Sequence, residues 1–334
     1  MSGLETDSLI RYRREAPVWL DAFCKVPEMQ RLLQVGMNCG CECTSFPRFR
    51  ALRPYSRYRH SLAAARIVWD FSGSAEQTLA ALFHDIATPS FAHSVDFLRG
   101  DHLRQESTEA GTKRMICESE DILRLLEPLG IDVEMIVDYH RYPIADNDSP
   151  RLSADRLEYS LGNMDNYGFC VKARLQGYYD ALTVCANEDG APELSFTDKD
   201  AALAFGLDAL RCSRVYVSDE DRYAMQMLAE LLGRALTRGV LREADLETTE
   251  PRVIALLQGD AVCAKDWDRF RRLHRMVCDE WEAPVELRRV IPAKKRSNDP
   301  YVVGEGRLSR IEKGFARELD AFLTEPQDRW LCAK

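Results

Sequence analysis

Residues 81–93 read Ala81-Leu82-Phe83-His84-Asp85-Ile86-Ala87-Thr88-Pro89-Ser90-Phe91-Ala92-His93. A histidine followed directly by an aspartate stands here at the end of an apolar helical pattern. The apolar residues recur with helical spacing at Leu79, Leu82, Phe83 and Ile86. Segment 60–70 has a second apolar face, and the intervening Phe71-Ser72-Gly73-Ser74 is typical of a turn. Because so short a connection makes two helices antiparallel neighbours, the pattern predicts a helical hairpin.

This hairpin would place His60 beside the end of its second helix, where His84 and Asp85 lie. A further carboxylate, Asp155, follows Ser153, whose hydroxyl suits the N-cap of another helix. Two imidazoles and two carboxylates suit Fe, Mn, Co, Ni or Zn. We therefore predict a metal-dependent hydrolase that binds one divalent transition metal through His60, His84, Asp85 and Asp155. The alternative is a set of hydrogen-bonded polar side chains at a helix end.

The composition excludes several classes of protein. The chain has 334 residues, of which 46% are apolar and 30% charged, as in ordinary globular proteins. Its 45 Lys and Arg against 54 Asp and Glu give a net charge of -9, which argues against general nucleic-acid binding. The first residues have no apolar signal core and no run approaches the length of a membrane span, so we expect no membrane association. Eleven cysteines without such a signal favour a reducing, cytoplasmic location.

Three of these cysteines form a C-x-C-x-C cluster at Cys39, Cys41 and Cys43. One interpretation is a second metal site or a redox switch. The other is a group of small buried thiols in a loop beneath the site. We favour the second, because zinc ribbons and fingers use wider spacings and a second ligand pair.

The chain as a whole predicts an all-α fold, a helical bundle with a small mixed C-terminal lobe. We expect a helical core over 1–250 and a C-terminal helical lobe with a short β-hairpin over 251–334. Besides the hairpin, helices are expected over 18–33, 105–117, 120–126, 133–140, 153–163, 172–181, 200–216, 219–238, 252–257, 267–279 and 310–323. Strand pairing is expected between 182–185 and 193–196, and between 285–291 and 301–303.

Several motifs occur in a characteristic order: Pro27-Glu28-Met29-Gln30-Arg31-Leu32, Arg57-Tyr58-Arg59-His60-Ser61-Leu62, Leu82-Phe83-His84-Asp85-Ile86, Phe91-Ala92-His93 and Asp155-Arg156-Leu157-Glu158-Tyr159. This order resembles the HD-domain metal-dependent phosphohydrolase superfamily, and within it the dNTP triphosphohydrolase branch (the dGTPase and SAM-and-HD-domain group). The resemblance covers about residues 15 to 185. It extends loosely to Lys294-Lys295-Arg296 through Tyr301, which is similar to a K-x-R-x-x-D-P stretch of bacterial relatives.

The resemblance implies roles for individual residues. It gives His60, His84, Asp85 and Asp155 as metal ligands, and we accordingly expect the helical core over 1–250 to be an HD-domain bundle. It implies a substrate site, with Mg at the substrate phosphates, in which Arg57 and Arg156 contact phosphate, Tyr159 lines the sugar pocket, and Lys295 and Arg296 take part. Arginine forks suit anionic oxygens. A solvated surface charge is the alternative for Arg57 and Arg156.

The chain departs from the family pattern at two positions. Thr88 stands where the family has a histidine after the dyad, and Gln105 stands where it has the histidine of a His-Glu pair. Both missing imidazoles serve acid-base chemistry in the family, which Thr and Gln cannot supply. We expect His93, Asp96 and Glu106 to supply it here, with His140 as a further candidate that could equally be a helix C-terminal cation.

Three functions remain open at this point. The first is a phosphohydrolase, forming a homo-oligomer, that acts on a nucleotide or a related small phosphate ester. The second is a catalytically weak HD domain that binds a nucleotide and signals through a partner. The third is an HD-type di-iron oxygenase, which would need the additional histidines His93, His102 and His140 for a second iron.

Overall fold

The computed structural model describes residues 8–103, 111–279 and 281–334, and it is predominantly helical. The first helices are α1 (Leu20–Cys24), α2 (Pro27–Arg31), α3 (Pro47–Arg50), α4 (Arg57–Ser72), α5 (Ala75–Phe83), α6 (His93–Arg99), α7 (Thr112–Glu118) and α8 (Glu120–Leu126). They are followed by α9 (Ala154–Asn166), α10 (Lys172–Asp180), α11 (Lys199–Tyr216), α12 (Asp219–Thr237), α13 (Glu243–Leu246), α14 (Glu250–Gly259), α15 (Ala261–Arg272), α16 (Leu308–Ile311) and α17 (Lys313–Thr324). Short 3-10 turns occur at Leu32–Gln34, Cys41–Cys43, Glu127–Leu129, Val133–Met135, Tyr139–Arg141 and Val285–Leu287.

The predicted helical hairpin is confirmed as α4 and α5. The Ser56 side chain accepts from the Arg59 amide and caps α4, and Ser74 caps α5 in the same way through the Gln77 amide. Between them Gly73 takes a left-handed conformation with φ of 65°, which ends α4 and turns the chain back. Helix α9 also packs on α4, and Ser153 caps it as predicted.

Six strands form two small sheets: β1 (Leu182–Ala186), β2 (Pro192–Phe196), β3 (Arg289–Val290), β4 (Tyr301–Val302), β5 (Gly306–Arg307) and β6 (Trp330–Leu331). The predicted hairpin near 182–196 is confirmed as antiparallel β1 and β2, with Leu182 opposite Phe196.

The predicted pairing of 285–291 with 301–303 is wrong. Strand β3 pairs antiparallel with β6, whereas β4 pairs parallel with β2 and antiparallel with β5. The physical reason lies in Arg307 of β5, which is buried against Glu193 of β2 at 2.6 Å and also binds Glu188. This buried charge pairing holds the β4–β5 hairpin on the first sheet.

Four predicted helices also differ from the structure, and the one over 310–323 is divided into α16 and α17 at Glu312, whose side chain caps α17. The helix over 18–33 is interrupted, because Pro27 begins a new helix after an extended Val26. Segment 133–140 forms two separate 3-10 turns, since the Asp132 and Asp138 side chains each cap a turn of their own. The helix over 267–279 lies earlier, at 261–272, where the Asp260 carboxylate caps it. The beginning of the helix over 105–117 lies outside the described residues, and its described part is α7.

Two hydrophobic cores hold the fold together. One joins α4, α5, α9 and α11 with the C-terminal Phe315 and Phe322. The other packs α6, α12, α14 and α15 around Phe91 and Trp267.

The division of the chain near residue 250 stays a prediction. Among the described residues, no helix combines the length and apolar character needed to cross a membrane.

Candidate metal centre

Three donor atoms converge where α4, α5 and α9 meet. His60 Nε2 lies 3.1 Å from His84 Nε2 and 3.0 Å from Asp155 Oδ1. His84 Nε2 lies 3.6 Å from the same carboxylate oxygen. The His60 side chain is 1% exposed and that of Asp155 is 19% exposed, so the centre is buried but open on the aspartate side. Two imidazole nitrogens and one carboxylate oxygen are a donor set that fits a divalent transition metal.

The other ring nitrogens are held by second contacts. His84 Nδ1 lies 2.7 Å from the Ala81 carbonyl oxygen, to which it donates. His60 Nδ1 donates to Glu158 Oε2 at 2.5 Å. Both rings therefore present Nε2 to the centre. Burial lowers the pKa of His60, but the Glu158 and Asp155 carboxylates outweigh it and raise that pKa to about 10.

Asp85, the fourth predicted ligand, lies beside this group. Its Oδ2 is 3.6 Å from His84 Nε2 and 3.8 Å from His60 Nε2. The same oxygen accepts from Arg57 Nη1 at 2.9 Å, and Oδ1 accepts from Thr88 Oγ1 at 2.7 Å. Burial raises the pKa of Asp85, but the Arg57 guanidinium and the two imidazoles hold it below its usual range. Thr88 is 1% exposed, so its hydroxyl is a buried donor to Asp85 in this hydrogen-bond network.

A cavity of about 150 Å³ opens onto the centre. Of the residues predicted for substrate or catalysis, it is lined by Arg57, His93, Tyr159 and Arg296. His93 Nδ1 lies 2.8 Å from Asp96 Oδ2, and Asp96 is fully buried. Burial lowers the pKa of His93, although Asp96 opposes this effect. The structure thus places a carboxylate-oriented imidazole at the wall of the cavity.

Other predicted residues lie elsewhere. Among the described residues that line the cavity, neither Arg156 nor Lys295 occurs. The Arg156 guanidinium contacts Asp146 at 3.1 Å and the Arg151 carbonyl at 2.7 Å, and so serves the loop before α9. The Lys295 ammonium donates to the Phe322 and Leu323 carbonyl oxygens at the end of α17, where a cation is favourable. Glu106 and Gln105 lie outside the described residues.

The histidines that a second iron would need have other contacts. His102 stacks on Phe97 with 4.5 Å between ring centroids. His140 Nδ1 lies 2.9 Å from Asp146 Oδ2. Within residues 8–103, 111–279 and 281–334, His60, His84 and Asp155 form the only group of three or more His, Cys, Asp or Glu side chains close enough to share an ion.

The sequence did not point to several further residues of the site. Glu158 was without a predicted role, although its position three residues after Asp155 puts both on one helix face. The cavity is also lined by Asn163 and Tyr167, in and just after α9, by Tyr216 at the end of α11 and by Asp221 of α12. Asn163 follows Asp155 and Tyr159 at helical spacing, which was a usable signal. Tyr216 and Asp221 carried no such signal, because only the packing of α11 and α12 brings them there.

Of the three clustered cysteines, Cys39 lines the cavity. Burial raises its pKa to about 12, so it is a thiol near neutral pH. Cys41 is buried with its Sγ 3.6 Å from Asp221 Oδ1, and burial raises the pKa of Asp221 well above its usual value. These contacts agree with structural thiols in the loop beneath the site.

Comparisons with known proteins give distant relatives. No family model matches the chain. It is 26% identical over 206 residues to the uncharacterised protein YdhJ of Bacillus subtilis, an alignment covering 61% of each chain. It is 24% identical over 165 residues to a protein of Cordyceps militaris named metal-dependent phosphohydrolase cns2, covering 49% of this chain and 46% of that one. The chain therefore spans less than two thirds of either relative.

Among solved structures, a hypothetical protein from Aquifex aeolicus superposes with a TM-score of 0.64 at 17% sequence identity. The match covers 98% of this chain and 94% of the other, and it shows a shared fold.

Proposed function

We propose that this chain is a metal-dependent phosphohydrolase of the HD-domain superfamily, acting on a small phosphate ester such as a nucleotide. The observation that carries the proposal is the convergence of His60, His84 and Asp155 at one end of a cavity that cationic side chains also line. The similarity to a protein named metal-dependent phosphohydrolase supports the same reaction class.

In this proposal His60, His84 and Asp155 hold the metal, with Asp85 as the fourth ligand. When bound, such an ion supplies Lewis-acid chemistry, which polarises a phosphoryl oxygen and lowers the pKa of water. The protein contributes rings whose Nε2 atoms are fixed in advance by Glu158 and the Ala81 carbonyl. This preorganisation avoids ordering the ligands at the moment of binding.

Arg57 is the residue best placed to bind the substrate phosphate. Its guanidinium lines the cavity, and one of its nitrogens donates to Asp85. The guanidinium carries a positive charge and several N–H donors, and this combination suits the anionic oxygens of a phosphate group in the cavity. Lys294 and Arg296 add positive charge to the same wall.

His93 is the residue we assign to proton transfer. Because Asp96 holds Nδ1, the ring has Nε2 available for chemistry at the cavity wall. The lowered pKa of His93 keeps that nitrogen unprotonated near neutral pH, so it can accept a proton from an attacking water. Asp96 orients the ring and stabilises the imidazolium that results.

The size of the cavity bears on the substrate. About 150 Å³ is small beside the roughly 300–1,000 Å³ of typical drug-sized ligand sites. The wall of Asn163, Tyr159, Tyr216 and Asp221 offers hydrogen bonds and aromatic faces to a compact polar group. We therefore favour a monophosphate ester over a dNTP, and the dNTP triphosphohydrolase reaction is the second candidate. A nucleotide-binding domain with little turnover is the third, supported by the buried Thr88 where the family has an imidazole.

Metal analysis followed by a substrate panel tests the proposal. The purified protein would be analysed for bound metal and incubated with dNTPs, NTPs, nucleoside monophosphates and simple phosphate esters, and the products separated chromatographically. We expect about one transition-metal ion per chain and release of inorganic phosphate. The matched variants are His60→Ala, which should lose both the bound metal and the phosphate release, and His274→Ala, which removes an exposed histidine that is not part of the centre.

The outcomes separate the candidates. Release of triphosphate from dNTPs would favour the dNTP triphosphohydrolase reaction. Nucleotide binding without any product would favour the binding domain. A protein that neither contains nor takes up a transition metal would refute the proposal.

A further inference from the structure

The two histidines of the centre are supported differently. His84 Nδ1 meets a neutral backbone carbonyl, whereas His60 Nδ1 meets the Glu158 carboxylate. Asp155 and Glu158 come from the same helix, three residues apart, and contact opposite nitrogens of the His60 ring. Both nitrogens of the His60 ring are therefore held by residues of α9, and Glu158 helps to fix the position of the ring.

Glu158 is itself fixed by a second donor. The Tyr55 hydroxyl donates to Glu158 Oε2 at 2.5 Å, the same oxygen that accepts from His60. All three side chains are buried, so these charge-assisted hydrogen bonds are strong and water does not compete for them. Two donors converging on one oxygen define where that carboxylate lies.

Gly162 makes room for the tyrosine. A Cβ at position 162 would lie 2.3 Å from the Tyr55 hydroxyl oxygen and 2.6 Å from the ring carbon that bears it. These distances are far below any ordinary contact, so a larger residue would push Tyr55 off Glu158. A glycine inside a helix costs roughly 1 kcal/mol relative to alanine, and the approach of Tyr55 gives a reason for it here.

We propose that Tyr55, Glu158 and Gly162 form a positioning group that sets the orientation of His60 for metal binding. This inference rests on the metal centre proposed above. A His60 ring that Glu158 no longer holds would have to be ordered when the ion binds, so loss of the carboxylate should weaken metal binding. Tyr55, Glu158 and Gly162 are positioning residues, since they act through His60.

The test is Co²⁺ binding to the metal-free protein at one pH, followed by calorimetry and by the visible spectrum of the bound ion. Glu158→Gln should weaken Co²⁺ binding by about 10- to 100-fold, the usual cost of losing such an outer partner. Tyr55→Phe should weaken it by about fivefold, the effect of one hydrogen bond, and Gly162→Ala should act in the same direction. Tyr58→Phe is the matched control, because its hydroxyl faces Cys24 and Gln30.

A double variant distinguishes positioning from general stability. If Tyr55 acts through Glu158, Tyr55→Phe should have little further effect in the Glu158→Gln background. The Co²⁺ spectrum should change in Glu158→Gln and stay unchanged in Tyr58→Phe. The melting temperature of each metal-free variant shows that it is folded, and if Gly162→Ala does not fold, Tyr55→Phe carries the test.

Two results would overturn the inference. One is a Co²⁺ affinity of Glu158→Gln within about twofold of the unchanged protein. The other is a full additional effect of Tyr55→Phe when Glu158 is already replaced. Failure of the unchanged protein to bind Co²⁺ would instead refute the metal centre itself, and this inference with it.

Discussion

Raising the pH should have opposite effects on the metal-free protein and on its affinity for metal. Without metal, the His60 ring carries a proton up to a pKa of about 10, because Glu158 and Asp155 outweigh the effect of burial. A metal ion requires the same Nε2 unprotonated. Alkaline conditions therefore remove a competitor of the metal. They also remove an imidazolium that holds α4 to α9.

The magnitudes follow from the shift in the pKa of His60. Between pH 7 and a pKa of about 10, apparent metal affinity should rise by at least about tenfold per pH unit, with at least one proton released per ion, because Asp85 and Asp155 also raise the pKa of His84 against the effect of burial. The raised pKa contributes to the free energy of unfolding of the metal-free protein. This contribution is fully present below about pH 6.5 and is lost as the pH rises through about 10. At about 1.4 kcal/mol per unit, this loss is on the order of 5 kcal/mol for the metal-free protein.

Calorimetric titration with Co²⁺ at pH 6.5, 7.5 and 8.5, in buffers of different ionisation enthalpy, measures both the affinity and the proton release. Urea unfolding of chelator-treated protein over the same range measures the stability. His274→Ala should leave both slopes unchanged, since its ring lies at the surface. An affinity that stays flat over this range, with no proton released, would refute the charge assignment of His60.

Three further predictions concern single residues. Asp155→Ala should lower metal affinity by about 100-fold or more, because a metal-binding free energy of roughly 10–16 kcal/mol shared among four ligands gives about 3 kcal/mol for each. Full metal occupancy of the purified variant would contradict the role of Asp155 as a ligand. His93→Ala should lower kcat by about 10²- to 10⁴-fold while metal content stays unchanged, and an unaltered kcat would exclude His93 from proton transfer. Arg307→Met should cost about 3–5 kcal/mol in urea unfolding, because it leaves Glu193 buried without its cation; a loss below about 1 kcal/mol would show that the pair contributes little.

The elements that were predicted correctly from the sequence are determined by interactions between residues that are close in the chain. The α4–α5 hairpin follows from two apolar helical faces, a glycine that ends the first helix and serines that cap both. Because the connection is so short, the meeting of His60 with the end of α5 follows from chain geometry alone. The N-cap at Ser153 likewise follows from its own hydroxyl. In each case the interacting groups lie within a few dozen residues.

The rest depends on contacts between segments that are distant in the chain. The pairing of β4 with β2 rests on Arg307 and Glu193, which lie over a hundred residues apart. Lys295 turns to the end of α17 and not to the cavity, because backbone carbonyls there offer a better site for its charge. Tyr55, Glu158 and Gly162 come together only when α9 packs on α4. Sequence periodicity reports which face of an element is buried, but not which partner buries it. The candidate ligand types could therefore be predicted from the sequence, whereas the contacts of His60 with Glu158 and the remaining cavity wall depend on tertiary packing.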